Sequence, residues 1–564
     1  MTRGGLWTKP SAHEWMQLLD NSDASLLTTL QRIYGPNEDV LSSKLRLLRQ
    51  ILALFVERFG DRPVRIFRSP GRINLRGMHV DTHGGYLNLM THQREVVIAV
   101  RPSENGVCTF VNTDPQFEEV SFNLWEETAH PAFARPWLEY ITHPEIQDAV
   151  FARRGHWGNF LRGAVLSAQH RFPQERLTGV AGVIGSDLPR GAALSSSTAL
   201  SVATFLAALG CKGRTLEKDL TILAVQDAEW FTGARGGVSD QTAMLLCDRA
   251  TLVNVALLSS ELDTRTARYI PFPEELRVLV INSFTERSLS GAQLIEYTRN
   301  RFAYSLAMEI LRQEMHDMGL PDSFIADADR LSNLTAESFA PCGGVATLYR
   351  LLRNVPEEVS VSELKKRYEL MELDAAYERY FGTVPMEMRP ARIALRGPLL
   401  YGIAESERAR LFPSFIVRGD FAGAGRLMTI GHDGDRRIGR DSNPYVFDVS
   451  DAALEKLAAD VVPIYECPGV YGASTPVLDA LVDRALEAGA LGACLTGAGI
   501  AGSVLALSDD NHADQVAAAA RAYLASETYL RDTRGAEPLS PVQLADAVTV
   551  NCAPEAAGEI ALAP

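Results

Sequence analysis

Residues 41–59 read LSSKLRLLRQILALFVERF, with apolar positions recurring every three or four residues, the spacing of one buried helical face, and Gly60 offers a stop. A helix is therefore predicted ahead of every other element. The pattern then shifts to short β-rich runs at 64–67 and 96–100, with Gly84 and Gly85 as turn residues between them, which predicts strands of a sheet. Helical spacing returns at 157–170 and 216–231, on either side of a strand-like run at 179–184 that ends in the loop DLPRGAALSSS. Beyond about residue 260 the pattern is mixed again. Strands are predicted at 277–282, 493–496 and 504–508, and helices at 293–315, 476–488 and 514–526. A second α+β domain follows from this, while the charged, helix-leaning stretch 318–396 carries no motif and reads as an insertion.

A length of 564 residues fits two principal domains. The balance of 55 Lys+Arg against 70 Asp+Glu, a net charge of −15, argues against a general binder of nucleic acid backbone, so any anion site must be local. Seven cysteines without a CxxC pair suggest neither a disulfide framework nor a zinc site, and a reducing compartment fits them. The opening MTRGGLWTKPSAHEW lacks the apolar core of a signal peptide, and no apolar run approaches the ~20 residues that span a bilayer. A cytoplasmic protein without membrane contact is expected, and nothing in the sequence identifies a protein partner.

Two segments carry candidate chemistry. The loop from Pro189 to Leu200 places small residues directly before a predicted helix. Backbone N–H groups can then approach a phosphate, and the helix N-terminus adds unpaired donors and partial positive charge. Ser195, Ser196 and Ser197 offer hydroxyl donors or a Mg²⁺ ligand; the same residues also suit an ordinary Ser-capped helix. No Gly-Lys-Ser/Thr follows, so this is not a Walker A loop. Asp240 lies just after the Gly236–Gly237 pair. It could position an acceptor hydroxyl and take its proton, or simply cap a helix. Glu229, eleven residues earlier, could reach a metal at the same place or lie on the surface.

Read together and in order, three segments acquire a specific meaning. The run SPGRINLRGMHVDTHGG from Ser69 to Gly85 resembles the galactokinase signature Pro-Gly-Arg-x-Asn-Leu-x-Gly-Glu-His-x-Asp-x-x-Gly-Gly. The Pro189 loop is similar to that family's second motif, and LTGAGIAGS from Leu495 to Ser503 to its third. Lesser matches lie at 237–241, 288–301 and 474–479. The resemblance spans about 64–508, interrupted by the insertion, and is to the GHMP kinases in their galactokinase-like form. It implies an α+β, two-domain fold: an N-terminal α/β domain of the ribosomal-S5-domain-2-like type, a C-terminal ferredoxin-like domain, and an active site in the cleft between them. The corresponding divisions are a helical extension at 1–60, an ATP-binding domain at 61–260 and a C-terminal domain at 261–564 containing the insertion.

The resemblance further implies an ATP- and Mg²⁺-dependent kinase acting on the anomeric hydroxyl of a sugar. Asp240 would be the catalytic aspartate and Arg72 its partner. Ser197 and Glu229 would hold the metal. Gly191, Ala193, Leu194, Ser195, Ser196 and Ser197, with Thr496, Gly497, Ala498 and Gly499, would surround the triphosphate and the reacting centre. Met78, His79, Asp81, Gly237 and Tyr297 match positions that contact the sugar. The family glutamate that accepts a hydrogen bond from the sugar 6-hydroxyl is Met78 here, and Arg76 stands where an apolar residue is usual. A methionine cannot pair with that hydroxyl. If residues 76 and 78 share one face of an extended loop, Arg76 could instead pair with a C6 carboxylate, as in galacturonate, which plant kinases resembling this chain here phosphorylate; a sugar without C6, such as arabinose, is also compatible. Equally, Met78 could fill an apolar gap with Arg76 pointing to solvent. Ala193 replaces a loop glycine and Thr198 an alanine, changes that could weaken nucleotide binding. A kinase-derived sensor that binds sugar and ATP without turnover is the alternative; the retained Asp240, Arg72, Ser197 and Glu229 favour the enzyme.

Overall fold

The computed structural model describes residues 9–234, 236–285, 292–368, 370, 373–381, 384, 386–562, with the side chains at 292–294, 296–297 and 379 outside that description. The polar opening folds into two helices, Ala12–Asp20 and Ala24–Tyr34, before the expected long one, Glu38–Phe59. Each begins on a side-chain cap, from Ser11, Asp23 and Asn37 respectively, and such caps satisfy the otherwise unpaired N–H groups of a first turn. Gly60 ends the third helix at φ 74°, as the sequence suggests.

The first sheet contains β1 (Arg65–Arg76), β2 (Tyr86–Ser103), β3 (Val107–Asn112), β4 (Val120–Asn123), β5 (Gly179–Ser186), β6 (Thr251–Ala256) and β7 (Arg268–Pro271). Its order is β1-β2-β5-β3-β4, and β6 joins β2 to β7. Strand β2 explains the two-sided burial by its alternation. Val96, Ile98 and Val100 face the core under helices Gly158–His170 and Ser196–Cys211, whereas Val97 and Ala99 face the N-terminal helices. The extension thus covers one face of the sheet.

The second sheet uses β8 (Leu276–Asn282) and, after the small pair β9 (Glu358–Ser360) and β10 (Arg392–Ala394) in the insertion, β11 (Gly492–Leu495), β12 (Ser503–Asp509) and β13 (Val548–Val550). Its order is β11-β12-β8-β13, antiparallel throughout. Helices Pro476–Glu487 and Ala513–Leu524 cover it. Two helices that the apolar pattern does not announce, Arg396–Val417 and Phe421–Asp435, lie between the sheets: Phe412, Leu427 and Met428 share a core with Cys494 and Leu505 of the second sheet and with residues of the first.

The division near residue 260 is not clean. Strand β7 belongs to the first sheet, and β14 (Gly558–Glu559) returns to pair with β1, placing Phe67 opposite Glu559. The insertion packs helices Gly344–Asn354 and Leu373–Phe381 into an apolar cluster shared with helix Ala292–Asp317, the start of helix Arg396–Val417 and residues 454–467.

Candidate active site

Strand β1 passes beneath the Pro189 loop. At Gly71 a Cβ would stand 2.7 Å from the Leu188 side chain and 3.1 Å from the Leu194 carbonyl oxygen, so only glycine permits this approach. The next residue, Arg72, thereby enters the cleft. Its Nε donates to Asp240 Oδ1 at 2.5 Å and its Nη1 to the Ala193 carbonyl at 2.7 Å. A Cβ at Gly497 would lie 3.5 Å from Arg72 Nη2. One guanidinium therefore joins all three sequence motifs.

Asp240 lies in the first turn of helix Ser239–Leu246, with its side chain 27% exposed. Ser195 Oγ donates to its Oδ2 at 2.5 Å. Burial works to raise the Asp240 pKa, but the Arg72 charge and hydrogen bonds from Arg72, Ser195 and Thr198 outweigh it and hold the carboxyl below the ordinary aspartate range. Ser195 was expected at a phosphate; here its hydroxyl is engaged with Asp240.

The loop itself uses left-handed backbone at Gly191, Ala193 and Ser195, with φ of 71°, 58° and 58°. Leu194 is buried. Helix Ser196–Cys211 starts without a side-chain cap, so the capped-helix alternative fails and the N–H groups at Ser196 and Ser197 keep the character of an anion site. Against this loop packs the third motif. Gly497 approaches Ala193, Thr496 Oγ1 accepts the Asn74 N–H at 3.4 Å, and Ser503 Oγ donates to the Ala192 carbonyl at 2.6 Å. Gly499 is left-handed at φ 72°, close against the Ala473 carbonyl, and the neighbouring Ala498 is half-buried.

Glu229, near the end of helix Lys218–Phe231, accepts hydrogen bonds from Thr198 Oγ1 and, at 2.5 Å, from Gln241 Nε2. Burial, with the Asp240 charge adding to it, pushes Glu229 up to about 8 against the Thr198 hydrogen bond and the Arg72 charge, which act downward. Two carboxylates and the hydroxyls beside them form an all-oxygen donor set that suits Mg²⁺. The hydroxyl bonded to Glu229 is that of Thr198, whereas the sequence pointed to Ser197, one position earlier. Thr198 and Gln241 are the residues that sequence reasoning did not place in the site.

The sugar signature divides. Asp81 accepts Ser239 Oγ at 2.8 Å and lies so near Gly237 that a Cβ there would stand 2.3 Å from its Oδ2. Asp81, Gly237, Asp240 and Arg72 are thus brought together. Arg76 is not. It is fully buried, donates through Nη1 to the Leu427 and Met428 carbonyls at 2.8 and 2.9 Å, and holds Nη2 3.1 Å from Glu405. Gly77, at φ 97°, turns the chain after β1, so residues 76 and 78 do not share an extended face; both expectations for Arg76, a substrate carboxylate and solvent, are corrected by this geometry. Met78 lies in the apolar cluster with Leu279, Ile281 and Val477, filling a gap. The His79 side chain is likewise buried, stacked on Tyr471 at 4.1 Å with Nε2 3.4 Å from Asp435. The Tyr297 side chain is outside the described residues. Glu405, unforeseen in the sequence, accepts the N–H groups of Gly77 and Met78 at 2.7 and 3.1 Å and the Arg408 Nε at 2.8 Å.

Among the described residues, one other group of three ligand-type side chains exists: His130, His143 and Glu145. His130 Nδ1 accepts the Ala132 N–H, so its Nε2 carries the proton and faces Glu145 at 3.1 Å. That is an imidazole–carboxylate hydrogen bond rather than a metal cradle. No described helix is long and apolar enough to cross a membrane.

Comparison with known proteins agrees with this arrangement. Residues 53–102 match the galactokinase galactose-binding signature, 159–248 the GHMP kinase N-terminal domain and 451–526 the GHMP kinase C-terminal domain. The chain is 30% identical over 269 residues to a galactokinase of Chloroflexus aurantiacus and 31% identical over 269 residues to one of Chloroflexus aggregans. Each match covers 47% of this chain and 60% of the relative, so the chain spans less than two thirds of the length of the curated galactokinases it matches. The structure of Lactococcus lactis galactokinase complexed with galactose shares the fold, with TM-score 0.56 and 18% identity over 90% of this chain and 98% of that one. The chain thus has the two-domain GHMP kinase fold, and three separate stretches of it are similar to galactokinase and GHMP kinase family models.

Proposed function

We propose that the protein is an ATP-dependent sugar kinase that transfers the γ-phosphoryl group to the anomeric hydroxyl of galactose or a related aldose or uronate. The observation that carries this reading is the Arg72–Asp240 pair at 2.5 Å, set beneath an uncapped helix N-terminus and beside Asp81 and Gly237. Phosphoryl transfer demands positioning and charge compensation more than covalent chemistry. Asp240, ionised at neutral pH, orients the acceptor hydroxyl and receives its proton as the bond to phosphorus forms. Arg72 keeps the carboxylate charged and faces the negative charge on the transferred group. The 191–197 loop and the Ser196 and Ser197 N–H groups bind the triphosphate, while the 496–499 turn excludes bulky side chains from the centre. Glu229, with Thr198 or Ser197, would hold Mg²⁺, which when bound neutralises phosphate charge. Asp81 and the Gly237 backbone form the near wall for the sugar. Arg76, tied to Glu405, takes no part in selecting a carboxylate, so the choice between galactose, galacturonate and arabinose falls to other groups.

The test is ADP release with Mg·ATP over galactose, galacturonate, arabinose, glucuronate and N-acetylgalactosamine. Turnover of one sugar, abolished in Asp240→Asn, is expected. Turnover unaffected by that substitution, or no turnover with any sugar, overturns the assignment.

A further inference from the structure

The insertion carries no motif, yet it reaches the loop 77–85 that bears Asp81. Val80, fully buried, belongs to the apolar cluster that the insertion shares with the preceding helix Ala292–Asp317, beside Phe302, Leu306, Leu331 and Leu334, and is the one member of that cluster from before residue 300 among the described residues. Four residues on, the Gly84 carbonyl accepts the Ser332 N–H at 3.1 Å. Gly84 is left-handed at φ 70°, and a Cβ there would stand 2.6 Å from Arg330 Cβ. The stem of Arg330 therefore lies flush on the end of the loop.

The Arg330 guanidinium extends to a second wall. It donates to Asp329, through Nε at 2.9 Å and Nη2 at 2.8 Å, and to Glu261 Oε2 at 2.7 Å. Glu261 closes the turn Ser259–Glu261 that follows β6. Ser259 Oγ of this turn accepts Gln226 Nε2 at 3.0 Å, and the same amide donates to the Gly236 carbonyl at 3.0 Å, one residue before Gly237. A cleft of about 280 Å³ runs between the two walls, lined by Gly84, Tyr86, Leu257, Glu261 and Arg330. Arg330 bridges that cleft as a strut. Ion pairs this exposed contribute little energy singly, so the value of the strut lies in where it places the loop, and the bidentate fork of an arginine suits that task better than a point charge.

We propose that the insertion is a buttress for the sugar loop and that Arg330 is a positioning residue setting sugar affinity through Gly84. This rests on the sugar-kinase reading above for the meaning of affinity, though the mechanical claim stands apart from it. Besides the contacts of His79, Asp81 and His83 within the loop, its backbone is held by Glu405 at Gly77 and Met78, by the apolar cluster at Val80, and by Arg330 with Ser332 at Gly84. Releasing the contacts at Gly84 allows the Asp81 end to drift, and displacements of about 1 Å are costly in such sites.

The experiment compares the intact protein with Arg330→Ala and Arg330→Lys. For whichever sugar the parent turns over, Arg330→Ala is expected to raise the sugar KM about tenfold, leaving kcat and the ATP KM within about twofold, and Arg330→Lys, which keeps the stem over Gly84, recovers part of the loss. Hydrogen exchange of the ligand-free protein should quicken within 77–86 and 257–263 and stay unchanged in the 191–200 loop. Sugar and ATP KM values rising together with a lowered melting temperature would indicate general loosening and overturn the proposal, as would unaltered exchange at 77–86. If the parent turns over no sugar, the kinase reading fails and the exchange result alone decides the buttress.

Discussion

Replacing Glu405 by glutamine probes the polar anchor of the sugar loop. Glu405 has no exposed surface and serves four groups: the N–H groups of Gly77 and Met78, the Arg408 Nε, and Arg76 Nη2 at 3.1 Å. A glutamine oxygen can keep the two backbone donors, but its NH₂ group then meets Arg408 Nε donor to donor. Both guanidiniums, themselves buried, lose their anion; Arg76 retains only the Leu427 and Met428 carbonyls, and Arg408 those of Tyr465 and Cys467. Breaking a buried pair from one side costs about 3–5 kcal/mol, which corresponds to a fall of roughly 10 °C in melting temperature for a unit of ~200 residues. Because the lost charge sits behind Gly77 and Met78, the sugar KM should rise in the surviving folded protein while the ATP KM holds. Thermal denaturation and steady-state kinetics on Glu405→Gln read both effects. A variant melting within about 2 °C of the parent with an unchanged sugar KM would refute the reasoning, since this carboxylate would then be dispensable to both fold and loop.

Further substitutions address other parts. Lys44, 2% exposed, pairs with Asp187 at 2.7 Å and Glu95 at 3.3 Å, and Asp187 precedes the phosphate loop; Lys44→Met should lower the melting temperature by several degrees and raise the ATP KM without touching the sugar KM, as kinetics with each substrate varied in turn would show. A Cβ at Gly502, where φ is 99°, would stand 2.4 Å from Ala193 Cβ; Gly502→Ala should therefore displace that loop and weaken ATP binding measured by titration, and unchanged affinity would show the contact to be slack. Buried His92 has its pKa lowered to about 3 by burial first and by Arg94 and Lys44 next, and that of His83 is lowered to about 4. Each is neutral in the fold yet protonates below about 6.5 when unfolded, so this stability is complete above pH 6.5 and lost as pH falls toward those values. At pH 5 the His92 share is about 2 kcal/mol, and His92→Asn, whose oxygen can still accept the Arg94 N–H, should lose less melting temperature between pH 7 and pH 5 than the parent.

Local rules reveal the helix Glu38–Phe59 through its one-sided apolar pattern and clear stop, and strand β5 through a short apolar run that ends in a glycine-rich loop. They do not reveal helix Arg396–Val417, whose buried residues include Glu405, Glu407 and Arg408 as well as Leu399 and Phe412. Its charges are interior, paired one turn apart within the helix (Glu405 with Arg408, Glu407 with Arg410) and, for Glu405, with distant Arg76, and no stripe marks it. The site divides similarly. Arg72 and Asp240 are legible because their motifs carry them, and the third motif's glycines because close approach excludes side chains. Arg76 misleads: a charged residue at the end of a strand suggests a ligand or solvent, and only the partner Glu405, more than three hundred positions away, turns it inward. Thr198 reads as a departure from a pattern; its hydrogen bond to Glu229 depends on helix Lys218–Phe231 docking beside it.

The pairing of β14 with β1 bears on how the polypeptide is made. Arg68 on β1, with 2% exposure, satisfies Nη1 with the carbonyls of Glu555 and Ala556, and Thr91 gives its hydroxyl proton to Pro554. During synthesis these donors emerge nearly five hundred residues before their acceptors. The first sheet waits with an open edge and an incompletely paired guanidinium until residues 554–559 leave the ribosome, so domain-by-domain completion from the N-terminal side is not open to this fold. A fragment cut near residue 260 would carry that exposed edge permanently and invite strand-to-strand aggregation, whereas the same fragment supplied with residues 548–562 as a separate peptide has the means to close.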